Sequence, residues 1–203
     1  MMITKYSHAC VRLEHEGRVL VIDPGTWSEP AALTGAEAIL VTHEHADHID
    51  VLRLAGLGVP VYAPADADIP GVEVPGLDVT RVSSGDEFTA AGFRVRAVGG
   101  RHAFIYGGQP DCANLGYLVD DRLYHPGDAL HIPDQPVETL LVPVHGPWMK
   151  LDEAIDFVRA INPARTFPIH DAMVNEKGLA SINGWFGHAT ANGYRWLAPG
   201  ETA

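Results

Sequence analysis

The apolar positions of this chain fall into short runs, each closed by glycine, proline or acidic residues. Val11 and Leu13, then Val19 and Val21, alternate with polar neighbours on either side of Glu16-Gly17, the pattern of a β-hairpin. Residues 19–22 and the run 36–41 are apolar enough, at that length, for strands in a sheet interior. A short strand is expected at 59–63, with further antiparallel strands at 79–82 and across 88–98, turning at Ala91-Gly92. Residues 114–119 and 122–124 are joined by Asp120-Asp121 as a two-residue turn. Buried strands follow at 139–144 and 166–169, and 194–197 suits a last short one. Helical spacing shows in Ile49, Leu52 and Ala55, stopped by Gly58 and Pro60. It recurs at 151–161, where Asp152 and Glu153 suit a helix's first turn, and at 176–186. Residues 26–35, with Trp27, and 64–75, rich in Pro, Asp and Ala, read as loops.

Strands first, then strands mixed with helices, predict two sheets packed face to face with helices outside. At 203 residues, with no low-complexity linker, the chain is expected to be one domain over 1–203. A hydrophobic share of 46% is that of a globular protein. The formal net charge of -12, from 26 acidic against 14 basic side chains, argues against a nucleic-acid or anionic-membrane surface. Cys10 and Cys112 are too few for a disulfide framework, so a reduced, cytoplasmic setting is expected. The first residues lack the apolar stretch of a signal peptide, and no segment has the apolar length of a membrane span. The expected partner is a small-molecule substrate.

The chemistry concentrates in Thr42-His43-Glu44-His45-Ala46-Asp47-His48, directly after the run 36–41. Three imidazoles and a carboxylate at a strand's end need partners for their polar groups. A divalent ion such as zinc takes this donor set. Other such residues also follow predicted strands: Asp23 before Pro24-Gly25, His102 after Gly99-Gly100-Arg101, Asp128 after His125-Pro126-Gly127, and His170 before Asp171. One sheet edge is therefore expected to gather Asp23, His43, His102, Asp128 and His170. His8, His131, His145 and Tyr106 are read as pocket walls or satisfied structural groups, and Cys10 as a packed thiol. If one of them donates a proton to a leaving group, the expectation falls on His145, which follows a strand and precedes Pro147-Trp148.

In Asp23, the 42–48 motif, His102, Asp128 and His170, in that order, the chain resembles the metallo-β-lactamase-fold hydrolases. The resemblance implies an α+β, four-layer αββα sandwich with a dinuclear site at one edge of the sheets. It implies that His43, His45 and His102 hold one ion, that Asp47, His48 and His170 hold the other, and that Asp128 bridges them. Asp23 would orient a ligand rather than bind an ion. The implied catalysis is hydrolysis of a small ester, lactone or phosphodiester by a hydroxide held between two ions, zinc first, with manganese or iron as alternatives. Asp47 would then also orient the nucleophile or relay a proton. The opening Ser7-His8-Ala9-Cys10 and the ending Pro168-Ile169-His170 look like a small branch related to L-ascorbate-6-phosphate lactonase. Flavodiiron relatives carry Glu where this chain has His45, which disfavours an iron redox enzyme. A metal-loaded binding or sensor protein with little turnover is the alternative from another class.

Overall fold

The computed structural model describes residues 1–69, 74–107, 112–190 and 193–203. It opens on a strand that the apolar pattern does not announce. β1 (Met2–Lys5) runs antiparallel to β2 (Val11–His15), with Ile3 opposite Leu13. The outer edge of β1 is covered by the chain's last residues: Ile3 and Ala203 exchange backbone hydrogen bonds of 3.0 and 2.8 Å. A covered edge leaves no open template for strand addition there. β2 passes into β3 (Arg18–Ile22) through Glu16 and Gly17, both at positive φ (50° and 78°). This conformation at both turn positions matches the twist of the flanking strands.

After β3 the chain changes sense. β4 (Ala38–Leu40), β5 (Pro60–Pro64) and β6 (Asp78–Val82) add to the sheet in parallel. Parallel neighbours need crossovers. Those in the described residues carry a 3-10 turn at Pro30–Leu33 and the short helix α1 (Val51–Ala55). The second sheet repeats the plan. β7 (Glu87–Ala90), β8 (Phe93–Arg101), β9 (Ala113–Val119) and β10 (Leu123–His125) run antiparallel in turn. β11 (Thr139–Pro143), β12 (Arg165–Ile169) and β13 (Gly193–Tyr194) continue in parallel, connected through α2 (Leu151–Ile161) and α3 (Glu176–Ala189).

The period-two alternation of strands sorts the side chains into layers. Leu13, Leu20, Ile22 and Leu40 face Phe93, Val95, Tyr117 and Phe167 between the sheets. Val21, Ile39 and Val61 point outward beneath Leu33, Ile49 and Leu54. Leu118, Leu140 and Val142 meet Ile155, Phe157, Val158 and Phe186 from α2 and α3. The result is the expected αββα sandwich.

Several elements differ from their predicted bounds. β4 is shorter than the run 36–41, because the chain leaves the sheet to feed the motif: the Thr42 amide donates to Asp23 Oδ1 at 2.7 Å rather than to a strand. α1 spans five residues, because the Ile49 amide is already taken by His45 O and Gly56 ends the helix. Residues 195–197 are not strand. Leu197 fills the inter-sheet core instead, and the Trp196 indole donates to Asp171. Part of the loop expected at 64–75, residues 70–73, lies outside the described residues. No helix among the described residues is long and apolar enough to cross a membrane.

Candidate metal centre

The site is assembled from the residues that follow β3, β4, β8, β10 and β12. Asp23 organises the first two. Its buried carboxylate accepts from the Thr42 amide and hydroxyl, each at 2.7 Å, and from His48 Nδ1 at 2.7 Å. These bonds bend the chain after β4 into the tight loop that carries the motif. Gly25 lies under that loop. A Cβ there would sit 1.9 Å from the Asp47 carbonyl oxygen, so Gly25→Ala must displace the motif's backbone. We expect this variant to fold less stably and to hold less metal, read by thermal unfolding and metal analysis; unchanged metal content would show that the loop tolerates the shift.

The ring nitrogens have defined roles. A hydroxyl has one proton to give, and Thr42 gives it to Asp23 Oδ2. His43 Nδ1, 3.0 Å from Thr42 Oγ1, is therefore the donor of that pair, which leaves its Nε2 bare. His102 Nδ1 donates to the Ala103 carbonyl at 2.6 Å, and His48 Nδ1 to Asp23. Acceptors behind the imidazoles thus turn three Nε2 atoms towards one place, as in sites where outer partners orient metal-binding histidines.

That place is Asp128. His170 Nε2 lies 2.9 Å and His102 Nε2 3.4 Å from Asp128 Oδ2, and His48 Nε2 lies 3.2 Å from Oδ1. His43 Nε2 is 3.9 Å from Oδ2. None of these approaches is aligned as a hydrogen bond: His48, His102 and His170 Nε2 and Asp128 Oδ1 are buried polar atoms without a partner. Buried polar atoms left without hydrogen-bond partners call for another partner, and a cation lying among them would supply it. Among the described residues three groups bring their ligand atoms within 4.8 Å of one another: His43, His45 and His102; His8, Asp47, His48 and His170; and His43, His48 and Asp128. The donor set of imidazoles and carboxylates fits divalent metal ions.

The charges agree with this fit. Burial, reinforced by the His48 charge, holds His43 well below the ordinary imidazole range. Burial and neighbouring His102 lower His45 as well. Burial opposes the charge on His48, yet Asp128 and Asp23 outweigh it and raise His48 well above its usual range. Burial likewise opposes the charge on Asp128, and the surrounding imidazoles hold it well below the carboxylate range. Asp47 is brought down to about 2, its burial outweighed by the hydrogen bond from His8 and the charge of His48.

All seven residues expected as ligands, His43, His45, Asp47, His48, His102, Asp128 and His170, are thus brought to one edge. His8 joins them, although read in sequence as a satisfied structural group. Its Nε2 lies 3.0 Å from Asp47 Oδ2, and its ring centre lies 4.0 Å from that of His170, the two planes tilted by 50°. His145 is exposed beyond β11 and belongs to none of the three groups. His131 is exposed with its ring over Gly99, and Tyr106 is exposed beyond His102. Cys10 and Cys112 are free and buried. Burial raises both thiols, Cys112 to about 12 with Glu44 adding to the effect, so neither is suited to act as a thiolate.

Four contributors carry no signal in the sequence. Asn114, on β9, accepts the Asp128 amide at 2.9 Å and donates to Pro126 O at 2.9 Å, fixing the turn that presents Asp128. Gly127 in that turn, at φ 63°, has no room for a Cβ beside Asn114 and Thr42. The Trp148 indole donates to Asp128 Oδ2 at 3.2 Å. Buried His125 reaches the Ala9 carbonyl at 2.9 Å and ties the β1–β2 connection to the site.

Fold and site together define the class of metallo-β-lactamase-fold hydrolases. The chain belongs to the beta-lactamase superfamily, whose domain model matches residues 2–170. It is 41% identical to Protein Rv0786c of Mycobacterium tuberculosis, covering 100% of this chain and 99% of that one. It is 30% identical to the UPF0173 metal-dependent hydrolase Ta0764 of Thermoplasma acidophilum, covering 84% and 83%. Among solved structures, Igni18, a metallo hydrolase of Ignicoccus hospitalis, superposes with a TM-score of 0.75 at 18% identity over 100% of this chain and 97% of that one. This last likeness is one of fold. The narrower resemblance to L-ascorbate-6-phosphate lactonase is not addressed by these relatives.

Proposed function

We infer that this metal-dependent hydrolase works with two divalent ions and cleaves a small ester, lactone or phosphodiester. The observation that carries the reading is the convergence of three unpartnered Nε2 atoms on one buried carboxylate, Asp128. His43, His45 and His102 would hold one ion and Asp47, His48 and His170 the other, with Asp128 shared. Zinc suits the imidazole-rich set, and manganese or iron would also fit. Ions so held supply a water acidified from about 15.7 towards roughly 7 and a Lewis acid for the oxygen that gathers charge. The protein's own part is to keep His43 and His45 neutral by burial, hold Asp128 through Asn114 and Trp148, and orient the nucleophile through Asp47.

The loops that carry Asp23, His102 and His170 also carry Trp27, Phe104, Ile105, Tyr106 and Met173, all exposed. Exposed apolar side chains gathered on such loops favour a substrate with an acyl or aryl portion beside the scissile bond. Metal analysis of purified protein, followed by a panel of aryl and acyl esters, lactones, thioesters and phosphodiesters, tests the reading. Two ions per chain with turnover on a member of the panel supports it. Protein carrying two ions but inert across the panel would instead indicate a metal-loaded binding protein, and fewer than two ions would overturn the dinuclear assignment.

His145 is the proposed proton donor to the leaving group. The chain around it is held against the site: the Val144 amide donates to Ile169 O at 3.1 Å, and Trp148 reaches Asp128. His145→Gln is expected to slow turnover by about 10²-fold, the lower range for losing a general acid, with metal content unchanged. Unchanged turnover on the true substrate would remove His145 from the reaction.

A further inference from the structure

His8 lies on the β1–β2 connection, far in sequence from the motif, and is fully buried against it. Its backbone is left-handed (φ 65°), a conformation that histidine adopts at some cost. The surroundings hold it there. His8 O accepts the His170 amide at 3.1 Å, and His170 is itself left-handed (φ 60°). The preceding Ser7 is clamped by Glu29 through its amide (2.9 Å) and its hydroxyl (2.6 Å). Two strained residues joined by a backbone bond therefore fix the His8 ring between Trp27 at 4.7 Å and His170 at 4.0 Å.

Packing alone does not account for this imidazole. An apolar side chain would fill the space without leaving Nδ1 buried and unpartnered, as it is here. Among the described residues the ring's hydrogen bond to a side chain is Nε2 to Asp47 Oδ2 at 3.0 Å. A carboxylate only accepts, so the proton is on Nε2 and the bare Nδ1 has nothing to donate. Burial keeps the ring neutral, consistent with one proton at that nitrogen. Asp47 needs such a tether, because it stands on the motif loop with its side chain 21% exposed, where an unbound carboxylate would rotate freely.

We propose that His8 is a positioning residue: its Nε2–H holds one oxygen of Asp47, so that the carboxylate meets the second ion in one fixed orientation. The inference rests on the two-ion reading above. It assigns to the chain's first turn the tightness of one ion pocket and leaves the pocket of His43, His45 and His102 untouched.

The test compares wild type, His8→Ala and His8→Gln, whose amide carries an N–H donor to about the position of Nε2. Zinc affinities are read by competition with a chromophoric chelator, and the metal-free proteins are compared by thermal unfolding. We expect wild type to bind two ions. His8→Ala should bind one of them about 10–100-fold more weakly, the range for losing a partner to a metal ligand. His8→Gln should return to within a few-fold of wild type. Should His8→Ala not fold, His8→Asn, one methylene shorter than Gln, takes its place with the same expectation of loss. Equal affinities in all variants would overturn the proposal and leave the ring a packing element. An equal loss in the Ala and Gln variants would also overturn it, and would make His8 a direct ligand. Fewer than two ions in wild type would instead defeat the two-ion reading itself.

Discussion

Asp128→Asn is expected to empty the site while leaving the fold intact. The substitution is nearly isosteric, and the bonds that place the residue, from its amide to Asn114 Oδ1 and between Asn114 and Pro126, do not involve its side chain. What changes is the charge on which His48, His102 and His170 converge at 2.9–3.4 Å. In the metal-free protein the new amide oxygen can still accept from Trp148, while the lost charge removes part of the attraction that raises His48, so only a modest loss of stability is expected. With metal present the loss is larger, because on the two-ion reading both ions would lose the Asp128 carboxylate. We expect zinc affinity to fall by at least about 100-fold, above the roughly 10–100-fold that accompanies loss of an outer partner, and hydrolysis to fall with it. Competitive metal titration and unfolding of the stripped protein check the two halves separately. Near-wild-type affinity would show that the ions do not share Asp128.

This contrast separates what was legible in the sequence from what was not. Ligand-type residues immediately after apolar runs were legible, because a sheet delivers the ends of its strands to one edge and the runs mark those ends. The layers were legible for a similar reason: Leu20 and Ile22 point inward while Val21 points out, and α2 presents Ile155 and Val158 to its sheet. β1 was not, because Met2-Ile3-Thr4-Lys5 owes its strand state to pairing with β2 and with the distant chain end at Ala203. Asn114, Trp148 and His125 act through hydrogen bonds spanning 14, 20 and 116 residues, and no local pattern encodes such a bond. His8 stands alone, away from the motif in sequence, and reads there as a structural group. Only the fold shows that the first turn lies against Asp47, a partner 39 positions away.

The same dependence on distant bonds makes Asp23 a sensitive residue for stability. Asp23→Ala is expected to destabilise the metal-free protein by about 3–5 kcal/mol, the cost of removing one partner from a buried charged network. Three donors lose their acceptor together: the Thr42 amide, the Thr42 hydroxyl and His48 Nδ1, each at 2.7 Å. Asp23→Asn keeps an acceptor for part of this set and should cost less. The charge contribution has a definite pH sense. His48 is raised well above 6.5 in the folded protein, burial being outweighed by Asp128 and Asp23. A raised imidazole stabilises fully below its unfolded value, and the benefit is lost as pH rises through the folded value. The deficit of Asp23→Ala relative to wild type should therefore be largest below about pH 6.5 and shrink in alkaline solution. Urea unfolding of stripped wild type and both variants across that range, at constant m-value, measures it. A pH-independent deficit would assign the role of Asp23 to its bonds with Thr42 alone. In that case the motif loop would be held by backbone geometry, and the orientation of His48 would be left to Asp128.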